Sequence, residues 1–418
     1  MFQTKKVTEI KALQVLDSRG NPTIKTTVWA GDVYGSSIVP SGASTGKHEA
    51  LELRDGKKKY FGGMSVLKAI KNVEGPILKR LRGVKAVNQI LADRLMVELD
   101  GTDNKSNLGA NAILSVSLAL ARLGAKLEGK ELFAYMADMY GNSKIHFGVT
   151  PLFNVINGGV HADSGLNVQE MMLIPNGKTM SEKVEIGAEI YHTLKTNLHE
   201  AGHVVAVGDE GGFAPHFTSH AEGFEALVRA ITDAGYKPGK DVRLGFDAAS
   251  SEFYDPQTKL YNLSLEQKQL KASELISVYQ QWAKDFPITL IEDGMAEDDY
   301  QGWEQLTEKM KKTILVGDDF FVTQYARLKK GVELGLANAI LIKVNQVGTL
   351  TETLQAIALA QDSGYKVVIS HRSGDTEDSF ISDLAVAVNA DYIKAGSLAR
   401  SERLAKYNRL LEIERHFR

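Results

Sequence analysis

Three runs rich in β-branched and apolar residues open the chain, at residues 7–16, 23–30 and 33–39. They are separated by the turn sequences Ser18-Arg19-Gly20-Asn21-Pro22 and Gly31-Asp32, and this punctuation predicts three strands. A glycine-containing loop spans residues 40–46. The pattern then lengthens. Residues 66–73, 86–99 and 110–127 carry apolar positions at i, i+3 and i+4, which predicts helices. Strands followed by helices make an α+β domain over residues 1–140. The stretch 141–149 reads as a boundary.

The remainder, residues 141–418, has a different rhythm. Short apolar runs recur and each ends in polar or charged residues: VRLGFD, ITLIED, TILVGDD, AILIKVNQ, KVVISHRS and DYIKAGS. Amphipathic stretches lie between them, as at 324–336, 350–363 and 380–389. This alternation predicts parallel strands joined by crossover helices. Asp247, Glu292, Asp318, Lys343, His371 and Lys394 sit at the strand ends, with spacings of 45, 26, 25, 28 and 23. Four of these match one βα unit, and the 45 leaves room for an extra segment. A reactive group at every strand end suits the C-terminal face of a (β/α)8-type barrel, whereas a doubly wound sheet gathers its site at one switch point. The expected fold is therefore α/β, with a C-terminal barrel and an N-terminal α+β capping domain.

Composition narrows the chemistry. The chain has no cysteine, which excludes disulfides, thiolate zinc sites, iron–sulfur clusters and cysteine nucleophiles. Any metal must sit on oxygen or imidazole. A net charge of -3 argues against a nucleic-acid partner. The N-terminus lacks a signal-peptide pattern and no run reaches about 18 uninterrupted apolar residues. A cytoplasmic protein with no membrane span is the expectation.

Asp247, Glu292 and Asp318 are carboxylates on successive predicted strands. Converging, they would repel and raise one another's pKa unless a cation sat between them. Oxygen-only ligands point to magnesium or manganese. Lys343 could be a Schiff-base nucleophile, a phosphate contact or a general base. The carboxylate cage favours a base. A free lysine is neutral in roughly one molecule in 2,500 at pH 7, so its pKa must be lowered, and a metal and Lys394 would push that way. His371-Arg372-Ser373 suits an anchor for phosphate or carboxylate. In Asp209-Glu210-Gly211-Gly212, the glycines suggest close backbone approach to a ligand and Glu210 is a candidate acid.

Ten segments in order resemble the enolase family across essentially the entire chain: LDSRGNPT, VPSGASTGKHEALELRD, PLFNVINGGVHAD, VGDEGGFAP, LGFDAASSEFY, LIEDGMAEDDY, VGDDFFVT, IKVNQVGTLTET, SHRSGDTED and IKAGSLARSERLAKYN. A lysine or histidine base beside one or two magnesium ions is the established chemistry of the wider superfamily, known independently of this chain. The resemblance implies magnesium-dependent dehydration of 2-phosphoglycerate to phosphoenolpyruvate. It implies two magnesium ions per site, replaceable by manganese, with Asp247, Glu292 and Asp318 on the first and Ser44 on the second. Lys343 would be the base and Glu210 the acid, supported by Glu170. His161, His371 and Lys394 would contact substrate or polarise the site, with Glu292 and Asp318 also beside substrate. Arg372 and Ser373 would hold phosphate. A homodimer or higher assembly is implied, with secondary cell-surface presence known in the family.

The sequence departs from the family pattern in places. Gly294 replaces a usual proline, which suggests a looser backbone and weaker metal binding. Lys25 replaces a usual glutamate near the subunit contact, and Ala395 and Asp375 are further changes. Two other readings remain: a superfamily enzyme acting on a different carboxylate, and a non-catalytic scaffold or surface-binding paralogue.

Overall fold

The computed structural model describes residues 5–42, 48–162 and 164–418. The three N-terminal runs form an antiparallel meander of β1 (Glu9–Leu16), β2 (Pro22–Ala30) and β3 (Val33–Ile38). Helix Ala110–Glu128 packs on β2 and β3. Gly35 permits the close approach, since a Cβ there would lie 2.2 Å from the Ala119 carbonyl oxygen. This helix is long and apolar enough to cross a membrane by length and composition, but 89% of its most apolar window is buried inside the protein. It is the core helix of this domain. The helix expected at 66–73 is instead broken: Leu67–Asn72 runs into a π turn, Val73–Ile77, then Leu78–Leu81. Pro76 lies inside that turn, and its missing N–H accounts for the widened step.

The second half begins with β4 (Thr150–Asn157), β5 (Glu170–Pro175) and β6 (Val242–Asp247). A small antiparallel sheet of β7 (Tyr254–Asp255), β8 (Leu260–Leu263) and β9 (Lys268–Leu270) follows and fills the 45-residue spacing. Then come β10 (Ile288–Glu292), β11 (Ile314–Gly317), β12 (Ala339–Ile342), β13 (Lys366–Ser370) and β14 (Tyr392–Lys394). Eight of these strands close into a barrel in the order β6-β10-β11-β12-β13-β14-β4-β5. Leu152, Met172, Leu290, Val316, Leu341 and Val368 fill the interior. Ile291, Leu315, Ile340 and Ile369, one position along, join the core under the outer helices. Burial on both faces explains the continuous apolar runs.

The wholly parallel sheet expected from the alternation needs one correction. β5 is antiparallel to both β4 and β6. Among its described residues the β4–β5 connection carries a three-residue turn, Gly159–His161, and no crossover helix, and the chain returns in the opposite direction. The consequence is functional: β5 presents its first residue, Glu170, at the face where the other strands present their last.

The N-terminal domain is tied to that face. Ser41 and Gly374 exchange backbone hydrogen bonds of 2.7 and 2.9 Å. Asp378, beyond β13, accepts from Arg122 Nη2 at 2.7 Å, Ser37 Oγ at 2.8 Å and the Ile38 amide at 2.9 Å. Burial opposes its charge, but Arg122 together with the Ile38 and Phe380 amides outweighs that and pushes the acid down to about 2. A lowered carboxylate pKa stabilises the fold above the ordinary value of about 3.9, and that contribution disappears as pH falls toward 2. Asp378→Asn is expected to cost about 2 kcal/mol at pH 7, with the gap to wild type narrowing between about pH 4 and 2, read by urea denaturation across that range.

Candidate active site

Strand register builds the site. Asp247 ends β6 and pairs with Glu170 on one side and Glu292 on the other. Three carboxylates therefore stand side by side at one rim. Lys394 ends β14, three places around the barrel from β6, and its side chain reaches back across the mouth. Its Nζ lies 2.8 Å from Glu170 Oε2, 2.8 Å from both Glu292 oxygens and 3.4 Å from Asp247 Oδ2. Asp318, Lys343 and His371 each follow their strand by one residue. All the expected strand-end groups thus come to one face. His161, Glu170, Glu210, Asp247, Asp318, Lys343, His371, Arg372, Ser373 and Lys394 line one cleft.

The charge balance tests whether a cation fits. Glu292 is fully buried, and burial together with Asp247 pushes its acid well above the ordinary range, although Lys394 opposes this. Asp293 is raised in the same way by burial and by Asp319 and Asp318. The rim holds more negative charge than its lysines neutralise, on oxygen donors alone, and a hard divalent cation fits that donor set. The ligand atoms of Asp293, Asp318 and Asp319 lie within 4.8 Å of one another, as do those of His161, Glu170 and Glu210. The expected trio of Asp247, Glu292 and Asp318 is not so gathered: Lys394 takes the first two and Lys343 takes Asp318.

That last contact corrects the expectation for Lys343. Burial alone would lower its amine, but Asp318, with Asp319 and Glu49 behind it, holds it above the ordinary value. Lys394, expected to depress it, is itself occupied by carboxylates and is held well above its own usual range. Lys343 is a protonated partner of Asp318 in this arrangement.

On the other side of the mouth, Glu210 lies in the loop between helices Met180–Glu200 and His220–Asp233. The neighbouring glycines accommodate the protein itself and not a ligand. A Cβ at Gly211 would meet the Ala399 carbonyl oxygen at 2.6 Å, and one at Gly212 would meet Asn157 Oδ1 at 2.7 Å. The loop is thereby pressed onto the barrel rim. Asn154 Nδ2 donates to Glu210 Oε2 at 2.7 Å. His161 Nδ1 stands 3.4 Å from Glu170 and 3.6 Å from Glu210. Burial and the nearby Glu210 push Glu170 up to about 7, whereas His371 and His161 hold Glu210 low despite its burial. Within the pair, Glu170 is thus pushed toward its protonated form and Glu210 toward its anion.

Arg403 Nη1 lies 2.6 Å from His371 Nδ1. A guanidinium only donates, so Nδ1 accepts and the ring proton is on Nε2, which faces Glu210 Oε2 at 3.4 Å. Burial pushes the imidazole down to about 4. Arg372, the expected anion anchor, is gripped by Glu49 of the N-terminal domain, with Nη1 to Oε2 at 2.9 Å and Nη2 to Oε1 at 3.2 Å. Ser44, the expected ligand of a second metal, lies outside the described residues.

A sequence model of the enolase N-terminal domain matches residues 7–136, and one of the enolase C-terminal TIM barrel domain matches residues 147–418. The chain belongs to the enolase family. Lyase-type chemistry of the enolase superfamily and divalent metal binding come with that membership.

This family member contains residues at its site that the sequence alone did not single out. Glu49 and Arg403 lie inside segments that resemble the family, but an acidic residue in a loop and a basic residue on a helix carry no chemical signature alone. Asp293 accepts from the Asp318 and Asp319 amides at 2.9 and 2.8 Å, fixing the turn after β11. Gly294 is buried and not loose: a Cβ would meet Leu306 Cδ2 at 2.9 Å and Ile291 Cγ2 at 3.1 Å. Lys25 is exposed on β2, opposite exposed Leu13.

Gly294→Ala is expected to lower stability by about 1–2 kcal/mol through overpacking, read from the denaturation midpoint. Nitrogen NMR of labelled histidine should show His371 as the neutral Nε2–H tautomer down to about pH 5. Because its folded value lies below the unfolded one of about 6.5, this group costs stability as pH falls from there toward 4.

Proposed function

We propose that this enolase-family protein dehydrates 2-phosphoglycerate to phosphoenolpyruvate, reversibly, as in glycolysis and gluconeogenesis. One observation carries the reading. Lys343 follows β12 and Glu170 opens β5, and these strands are four places apart in an eight-strand ring, whichever way it is counted. A base and a proton-bearing acid pair thus face one cleft from opposite sides. That is the arrangement needed to remove a proton from one carbon and a hydroxyl from the next.

Lys343 takes the proton from C2, and the electron pair is left beside the substrate carboxylate. The C2–C3 double bond then forms as the C3–O bond breaks. The hydroxyl leaves as water with a proton from Glu210, drawn from the pair it makes with Glu170. His161 and His371 line the acid side and hold those carboxylates in place. Arg372 and Ser373 hold the phosphate, Arg372 by exchanging Glu49 for phosphate oxygens that match its planar fork. Magnesium, with two ions expected per site and manganese able to substitute, would supply positive charge beside the substrate carboxylate; Asp247, Glu292 and Asp318 would hold the first ion by exchanging their lysine contacts for it, and Ser44 would help hold the second. Asp318, once it shares its charge with a cation, holds the Lys343 proton less tightly. A cytoplasmic homodimer belongs to the same reading, with Lys25 altering the usual pairing of subunits.

The test is absorbance of phosphoenolpyruvate formed from 2-phosphoglycerate, with and without magnesium, for wild type and Lys343→Ala. Magnesium-dependent turnover is expected, falling by about 10³-fold or more in the variant. A folded, magnesium-supplied wild type with no turnover would refute the substrate and move the weight to another carboxylate or to a scaffold role.

A further inference from the structure

Gln346 lies three residues beyond Lys343, in the short helical turn Val344–Val347, and its side chain is fully buried. Its Nε2 donates to Asp318 Oδ1 at 3.2 Å, and the other oxygen of that carboxylate meets Lys343. The opposite end of the amide, Oε1, lies 2.6 Å from Thr323 Oγ1. That hydroxyl accepts the Lys343 backbone N–H at 2.9 Å, and its own proton has Gln346 Oε1 at 2.6 Å as a far closer acceptor than the Leu341 carbonyl at 3.5 Å. The direction of the amide is thus assigned by chemistry: oxygen toward Thr323, nitrogen toward Asp318. The same residue touches the N-terminal domain. Its backbone carbonyl accepts from the Ala50 amide at 2.9 Å, and its Nε2 is 3.4 Å from Glu49 Oε1.

We propose that Gln346 is a positioning residue that sets the rotation of the Asp318 carboxylate and through it the place of the Lys343 amine, with the Thr323 hydroxyl fixing the amide. The proposal rests on the proposed roles of Asp318 and Lys343. A carboxylate turns easily about its last bond. Two oxygens held by two different donors leave it one orientation, and a base paired to it inherits that orientation. Thr323 closes the circuit because it is bonded both to the amide and to the backbone that carries Lys343. Ala50 and Glu49 add a link to the domain above the barrel, so that its docking bears on the same amide.

Simple filling of space by a buried side chain predicts a different outcome, and substitution separates the two. Gln346→Met keeps the volume and removes both polar atoms. Thr323→Val removes the hydroxyl, and Thr323→Ser keeps it. With positioning, Gln346→Met stays folded and loses about 10- to 100-fold in kcat, and magnesium affinity of the substrate-free protein, by titration calorimetry, falls by a similar factor. The KM for 2-phosphoglycerate moves by less than about threefold, since Gln346 is not among the residues that line the cleft. Thr323→Val reproduces part of both losses, Thr323→Ser restores them, and the double variant is no worse than Gln346→Met. The proposal is overturned if Gln346→Met keeps kcat and magnesium affinity within about twofold of wild type, or if Thr323→Ser is as damaging as Thr323→Val. Should Gln346→Met fail to fold, the two Thr323 variants decide. A wild type inactive on 2-phosphoglycerate would defeat the substrate assignment alone, because the calorimetric comparison needs no substrate.

Discussion

The Lys394 ammonium, buried within 3.4 Å of carboxylates from three different strands, is the contact on which the catalytic face depends. Glu170, Asp247 and Glu292 are neighbours by register, so closing the barrel forces them together. In a medium of low dielectric their mutual repulsion is large, and each burial cost adds to it. One lysine reaching across the mouth makes the grouping tolerable. It does not make it neutral, as the raised pKa of Glu292 shows. The rim is left short of positive charge, and this shortage is what a divalent cation can supply.

Much of this arrangement could be read from residue order, and the reasons are physical. A barrel strand is buried on both faces, so it appears as an apolar run, and its end appears where the first charged residue stands. Asp247, Glu292, Asp318, Lys343, His371 and Lys394 were legible on that ground, as was an extra segment in the long spacing. β5 was not, because direction leaves no trace in an apolar run such as EMMLIP. Glu170 was therefore tied to the site only by family resemblance, although its place follows simply once the strand is reversed. Glu49 and Arg403 were invisible for another reason. Their partners, Arg372 and His371, are hundreds and tens of residues away in the chain, and only folding shows that a guanidinium is already engaged by a carboxylate of the other domain.

The two lysines of the site are not equivalent, and the difference decides their roles. Lys394 is shared among several acids, so losing one partner leaves others, and the amine stays charged under any plausible change around it. Lys343 depends chiefly on Asp318. Its one direct carboxylate contact is Asp318, with Asp319 and Glu49 adding to the field, so weakening that contact loosens the proton. A base that must be neutral for part of each turnover belongs in the second situation and not in the first. The same contrast holds for the acids opposite. Glu210 is stabilised as an anion by two imidazoles and an amide, whereas Glu170 is pushed toward neutrality by burial and by Glu210 itself. Of the two lysines one is thus fixed in its charge state and the other can change, and of the two acids Glu170 favours the proton at rest, which must pass to Glu210 before Glu210 can deliver it. That asymmetry, more than the identity of any single residue, is what allows one closed ring of strands to take a proton on one side and deliver one on the other.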